Sequence, residues 1–203
     1  MTRVRLLTTM AVLVFCTGAA ADGTADTNAL FISRLTSAAV EQTGHAVRYV
    51  PGYVKIAYPN GDVPASTGVC TDVIIRAFRA AGVDLQKEVH EDISRNFDAY
   101  PRVWGLKRPD SNIDHRRVPN LAAFFRRHGL AIAPTRNPSD YLPGDLVTWD
   151  LGRGVPHIGI VVGRSADSQP LLVHNIGNGP QREAVLFDWK ITGHFRFTPA
   201  TRR

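Results

Sequence analysis

Only two cysteines, Cys16 and Cys70, occur in 203 residues, too few for a disulfide-stapled mini-protein or a multi-cysteine zinc site. The chain has no internal repeat, no low-complexity tract and no Gly/Ser-rich or charge-rich linker. With 44% hydrophobic residues, wholesale disorder and fibrous architectures are excluded. Beyond the first segment no apolar run approaches the length of about 20 residues that a membrane-spanning helix needs. Basic stripes interleaved with aromatics are also missing, although the formal charge is +6. What is present suits one domain of about 150–200 residues with a real core.

The N-terminus reads as a targeting segment. Arg3 and Arg5 precede an apolar stretch from Leu6 to Cys16, broken only by Thr8 and Thr9, and small residues follow at Gly18, Ala19, Ala20 and Ala21. This is the layout of a secretory signal peptide cleaved after Ala21. A lipoprotein reading through Cys16 meets bulky Phe15 where a small residue is wanted. The expected organisation is therefore a signal peptide over 1–21 and a single domain over 22–203, periplasmic or secreted and without a stable membrane anchor. Cleavage removes Arg3 and Arg5 and lowers the formal charge from +6 to +4, carried by 18 Arg and 4 Lys among 18 acidic residues. That balance argues against a nucleic-acid partner and allows only a mild attraction to an anionic envelope surface. It also leaves Cys70 alone in an oxidising compartment, where an odd cysteine is either an intermolecular bridge or a reactive thiol.

Periodicity supplies the elements. Leu30, Phe31, Leu35, Ala38 and Ala39 fall at helical spacing between Asn28 and Thr43. Val73, Ile74, Ala77, Phe78 and Ala81 form the apolar stripe of a helix that starts near Val69 and stops at Gly82. Val89, Ile93 and Phe97 suggest another helix, and Pro119 to His128 a further one with Leu121, Phe124 and Phe125 inward. A polar loop is expected from Arg102 to Val118. Strands are expected at 146–149, 157–163, 171–174 and 195–198. Helices first and strands after predict an α+β domain with N-terminal helices packed on an antiparallel sheet.

Cys70 sits at a predicted helix start, where the dipole and free N–H groups favour a thiolate and lower its pKa. A nucleophilic cysteine needs a base and a group to orient that base. His157 opens one predicted strand and His174 closes the next, so antiparallel pairing brings the two imidazoles to one sheet end. His157 shares a face with Gly159 and Val161, and His174 with Leu172. Gly159 leaves room for a close approach beside His157.

A cysteine at a helix start, a Gly-Asp-Leu-Val strand, His-Ile-Gly-Ile-Val-Val-Gly and then a His-bearing strand resemble the NlpC-type branch of the papain-like fold. The resemblance implies a papain-like cysteine peptidase or amidase cutting peptidoglycan, without a cofactor. It makes Cys70 the nucleophile, His157 the base and His174 the orienting residue, with Asn175 as competitor for that last role. It also sets Tyr58 near the thiol. The Asp-Cys-Ser-Gly usual for that branch is replaced here by Val69-Cys70-Thr71-Asp72. Tyr-Pro-Asn-Gly-Asp at 58–62, Ile-Asp-His-Arg-Arg-Val-Pro-Asn at 113–120 and His-Asn-Ile-Gly at 174–177 resemble more closely a bacterial family described as a domain of unknown function, usually placed in the same superfamily.

The remaining candidates have two readings each. In the 113–120 stretch, Asp114, His115 or Arg116 reaches the cleft and binds a substrate carboxylate, or the stretch is a solvated loop that caps the next helix, the better reading for Arg117. Asp72 either supports the site or only completes the helix start. A zinc site from Cys70, His157 and His174 lacks the close-spaced ligand pairs usual for zinc. The expected activity is amide hydrolysis through a Cys70 thioester. Acyl transfer by the same site, or a non-catalytic envelope-binding module with a buried Cys70, are the rivals.

Overall fold

The computed structural model describes residues 19–128 and 130–199. The expected signal segment, with Arg3, Arg5 and Cys16, lies outside the described residues except for its last positions, where the backbone of α1 begins. Four helices precede and flank a six-stranded sheet. They are α1 (Ala19–Glu41), α2 (Cys70–Ala80), α3 (Leu85–Arg95) and α4 (Val118–Arg127). A small parallel pair, β1 (Arg48–Tyr49) and β2 (Thr67–Gly68), leads into α2. The large sheet is antiparallel throughout, in the order β3 (Ala131–Ile132), β8 (Lys190–Phe195), β4 (Leu146–Asp150), β5 (Pro156–Arg164), β6 (Pro170–His174) and β7 (Gln181–Glu183). The α+β expectation therefore matches the mixed helix-and-sheet architecture. Among the described residues no helix is long and apolar enough to cross a membrane.

Helix α2 is the axis of the fold. Its stripe of Val73, Ile74, Ala77 and Phe78 is buried against α1 and β5, and each large apolar side chain so buried contributes about 1.5–3 kcal/mol. Gly82 ends it in the left-handed region at φ +90°, a conformation that costs glycine least. Helix α4 has Pro119 in its first turn and Arg126 and Arg127 in its last, the charge and proline placement a helix favours.

Alternation along the strands divides the core in two. Leu146, Ile158, Ile160, Val173 and Phe195 face the helices, together with Cys70 and Phe78. Val147, Trp149, Val161 and Leu172 face the other way, covered by Tyr141 and by Leu186 from the segment before β8. Trp149 Nε1 donates to the Leu186 carbonyl at 2.9 Å.

Several local expectations shift. The α1 helix is longer than its apolar pattern, and Leu30 on it is exposed. Helix α3 ends at Arg95, and Phe97 lies in a separate 3-10 turn. The last long strand runs over Lys190–Phe195 rather than beyond Phe195. The stretch from 114 to 116 is a 3-10 turn with all three side chains buried, which rules out a solvated loop there.

Candidate active site

Cys70 is the first residue of α2, with a side chain buried among α2, Tyr49 and the start of β5. The helix start is built by a carboxylate. Asp72 Oδ2 accepts the Val69 N–H at 2.7 Å, and the same carboxylate takes Arg116 Nε at 2.8 Å and Nη2 at 2.9 Å. Arg116 Nη1 also reaches the Gly52 carbonyl at 3.3 Å, and Thr71 Oγ1 donates to the Arg116 carbonyl at 3.1 Å. Asp72 and Arg116 thus tie the helix that starts at Cys70 to the 113–117 turn and to the segment after β1. Both side chains are almost fully buried, so their charges depend on each other. Arg116 lines the cleft, yet its donors are spent on protein acceptors rather than left for a substrate carboxylate.

The thiol accepts backbone N–H groups from Ile158, Thr71 and its own residue, which lower its pKa; burial and the Asp72 carboxylate raise it, and burial prevails, to about 11. The expectation of a lowered pKa therefore fails. The helix start points the thiol into the helix–sheet interface, where desolvation outweighs the dipole. Tyr49 lies beside it, its phenol pushed up to about 12 by burial and by the neighbouring thiol and Asp72, so its hydroxyl stays a proton donor. Parallel pairing of Tyr49 with Gly68 accounts for this position. Tyr58 is elsewhere: it is exposed and packs edge-on to His90, with ring centroids 5.2 Å apart. Tyr49 takes the place beside the thiol that the resemblance had assigned to Tyr58. The signal lay in the short strand Arg48–Tyr49, which composition alone did not connect to Cys70.

His157 and His174 meet as their strand positions predict. His157 Nε2 lies 2.9 Å from His174 Nδ1, and His174 Nε2 lies 3.0 Å from Glu183 Oε2. As a carboxylate, Glu183 only accepts, so His174 Nε2 carries a proton and its Nδ1 accepts from His157 Nε2–H. This order leaves the lone pair of His157 on Nδ1. Burial and His174 push the His157 imidazole down to about 3, so it is neutral. Burial also lowers His174, against an upward pull from Glu183. Gly159 has its role here, because a Cβ there would stand 3.1 Å from the Trp149 ring and 3.2 Å from His174 Cβ. Trp149 in turn stacks on His157 at 5.7 Å.

Thiol and imidazole lie at the N-terminal end of β5 on opposite faces of the sheet and, among the described residues, are not hydrogen-bonded to each other. Ile158, whose N–H meets the sulfur, faces α2, and His157 faces Trp149. The β5–β6 ladder stops at Ile160↔Val173, so the strand end between the two groups has no partner on that edge. Asn175 does not orient His157: its Oδ1 accepts the Gly177 N–H at 3.0 Å and closes a turn. Asp114 and His115 are buried as well. Asp114 Oδ2 accepts the Asp110 N–H at 2.7 Å and contacts His90 Nδ1 at 3.3 Å, and His115 is pushed down to about 3 chiefly by burial. Neither residue lines the cleft, which has a volume of about 330 Å³ and opens over Cys70 between Tyr49, Trp104, Arg117 and Pro156. Among the described residues no three His, Cys, Asp or Glu side chains converge as a metal-binding set.

Together these features define a mixed α+β domain that holds a cysteine at a helix start next to the strand end bearing a hydrogen-bonded histidine pair. Residues 36–197 match the family described as "Domain of unknown function (DUF1287)", and the chain belongs to that family. It is also similar to the uncharacterized protein YijF of Escherichia coli (strain K12), at 54% identity over 164 residues that cover 80% of each chain.

Proposed function

We propose that this protein is an exported papain-like thiol hydrolase of the NlpC type that cleaves an amide or peptide bond in bacterial peptidoglycan. The observation that carries the reading is the placement of Cys70 at the start of α2, against the Ile158 N–H, with the His157–His174–Glu183 chain at the same strand end. Thiol and imidazole are both neutral, so activation belongs to the complex with substrate, where such contacts tighten. Cys70 Sγ attacks the carbonyl carbon, and because His157 lies across the strand end the thiol proton reaches His157 Nδ1 through an intervening water. The Cys70 N–H and the Tyr49 hydroxyl face the oxyanion. Collapse of the tetrahedral intermediate expels the amine with the proton from His157 and leaves a thioester. Water, deprotonated by the same imidazole, then releases the acid and restores the thiol.

The burial of the thiol favours a second reading, a non-catalytic envelope-binding module in which Cys70 is a packed side chain. Purified sacculi separate the two. Release of soluble fragments by the wild type and its loss in Cys70→Ala support the hydrolase, no release by either supports the module, and equal release by both removes Cys70 from the chemistry.

A further inference from the structure

We propose that the Cys70 cleft selects an acyl donor that carries a free carboxylate and that Arg117 reads it. This deepens the thiol-hydrolase reading and rests on it. Among the described residues no aspartate or glutamate lines the cleft, and two arginines do. Arg116 is neutralised by its buried pair with Asp72. Arg117 is not: its guanidinium stacks 4.3 Å from the Trp104 ring centroid and, among the described residues, accepts no carboxylate as ion-pair or hydrogen-bond partner. The acids that act on it, Asp114 and Asp110, are engaged by other partners. Asp114 holds the Asp110 N–H and His90, and Asp110 holds Tyr53 and Asn112. The contact with Trp104 holds the guanidinium in place while its N–H groups have no carboxylate partner among the described residues, and such a fork can receive a carboxylate through two parallel hydrogen bonds. The half-buried setting strengthens that contact, because desolvation already presses on Arg117.

The test uses three nearly isosteric alkylating probes. N-iodoacetylglutamine carries an α-carboxylate, N-iodoacetylisoglutamine a side-chain carboxylate, and N-iodoacetylglutamine amide carries neither. In each case the Cys70 sulfur forms a bond to the iodoacetyl CH2, iodide leaves, and the thiol proton goes to His157 or water. Rates on the folded protein, divided by those on free cysteine, report the cleft's preference. The expected result is that at least one acid outpaces the diamide about tenfold, the size of one charge-assisted contact. Which acid wins tells a chain-terminal carboxylate from a side-chain one. Arg117→Gln should abolish the preference of the acids over the diamide, and Arg117→Lys should retain part of it. Equal normalised rates for all three probes, or a preference that survives Arg117→Gln, overturn the carboxylate subsite and leave the nucleophile intact. If no probe labels folded Cys70 while the unfolded chain reacts, the nucleophile reading falls and the subsite falls with it.

Discussion

Replacing Arg116 by Met removes the partner of a carboxylate that has nowhere else to go. Asp72 would keep only the Val69 N–H at 2.7 Å, having lost donors at 2.8 and 2.9 Å. The Gly52 carbonyl would lose its contact as well. Stranding a buried charge in this way costs about 3–5 kcal/mol, which corresponds to a fall in Tm of roughly 6–20 °C for a domain of this size. The cost arises mainly from the orphaned charge, so adding Asp72→Asn should recover part of it. The asparagine carbonyl still accepts from Val69 while the charge disappears. Urea unfolding of the two single variants and the double variant completes the cycle. A loss below about 1 kcal/mol in Arg116→Met, or a double variant as unstable as the sum of the singles, would refute the clamp and return Arg116 to the role of a free cleft residue.

Three further outcomes follow from the same geometry. Glu183→Gln removes the upward pull on His174, so the acid limb of the pH–rate profile on sacculi should move to lower pH and turnover should fall a few-fold; the change stays modest because Glu183 is half-exposed, and an unchanged limb removes Glu183 from the relay. Gly159→Ala forces a Cβ against Trp149 and His174, with an expected loss of about 1–3 kcal/mol in chemical denaturation and a displaced imidazole pair; a fully active, equally stable variant would contradict that packing. His115 and His157 are held neutral, each down to about 3, so below the ordinary histidine value of 6.5 the unfolded chain takes up protons that the folded chain refuses. Stability should therefore fall as pH drops from about 6.5 towards 3, by about 2 kcal/mol for each group at pH 5, and His115→Gln should flatten the slope if the protein refolds.

Helical stripes, glycine stops and strand alternation were legible in the chain because burial follows them directly. The meeting of His157 with His174 was also legible, since period-two alternation and antiparallel pairing leave little freedom. What the chain did not reveal depended on long-range packing. Tyr49 reaches Cys70 only through a two-residue parallel strand pair. Glu183 sits on β7, a three-residue strand whose exposed pattern carries no periodic signal. Arg116 and Arg117 are neighbours of identical chemistry, and only the buried Asp72 decides which of them is spent. The thiol pKa was misjudged because helix-end electrostatics can be read locally, whereas desolvation by the sheet cannot.

The decisive measurement is acid-quenched intact-mass analysis during turnover of cell-wall fragments. An acyl adduct is expected on the peptide containing Cys70, released by hydroxylamine and absent in Cys70→Ser and His157→Ala. Fragment turnover that continues in Cys70→Ser, with no adduct on the wild-type thiol, would contradict a Cys70 thioester.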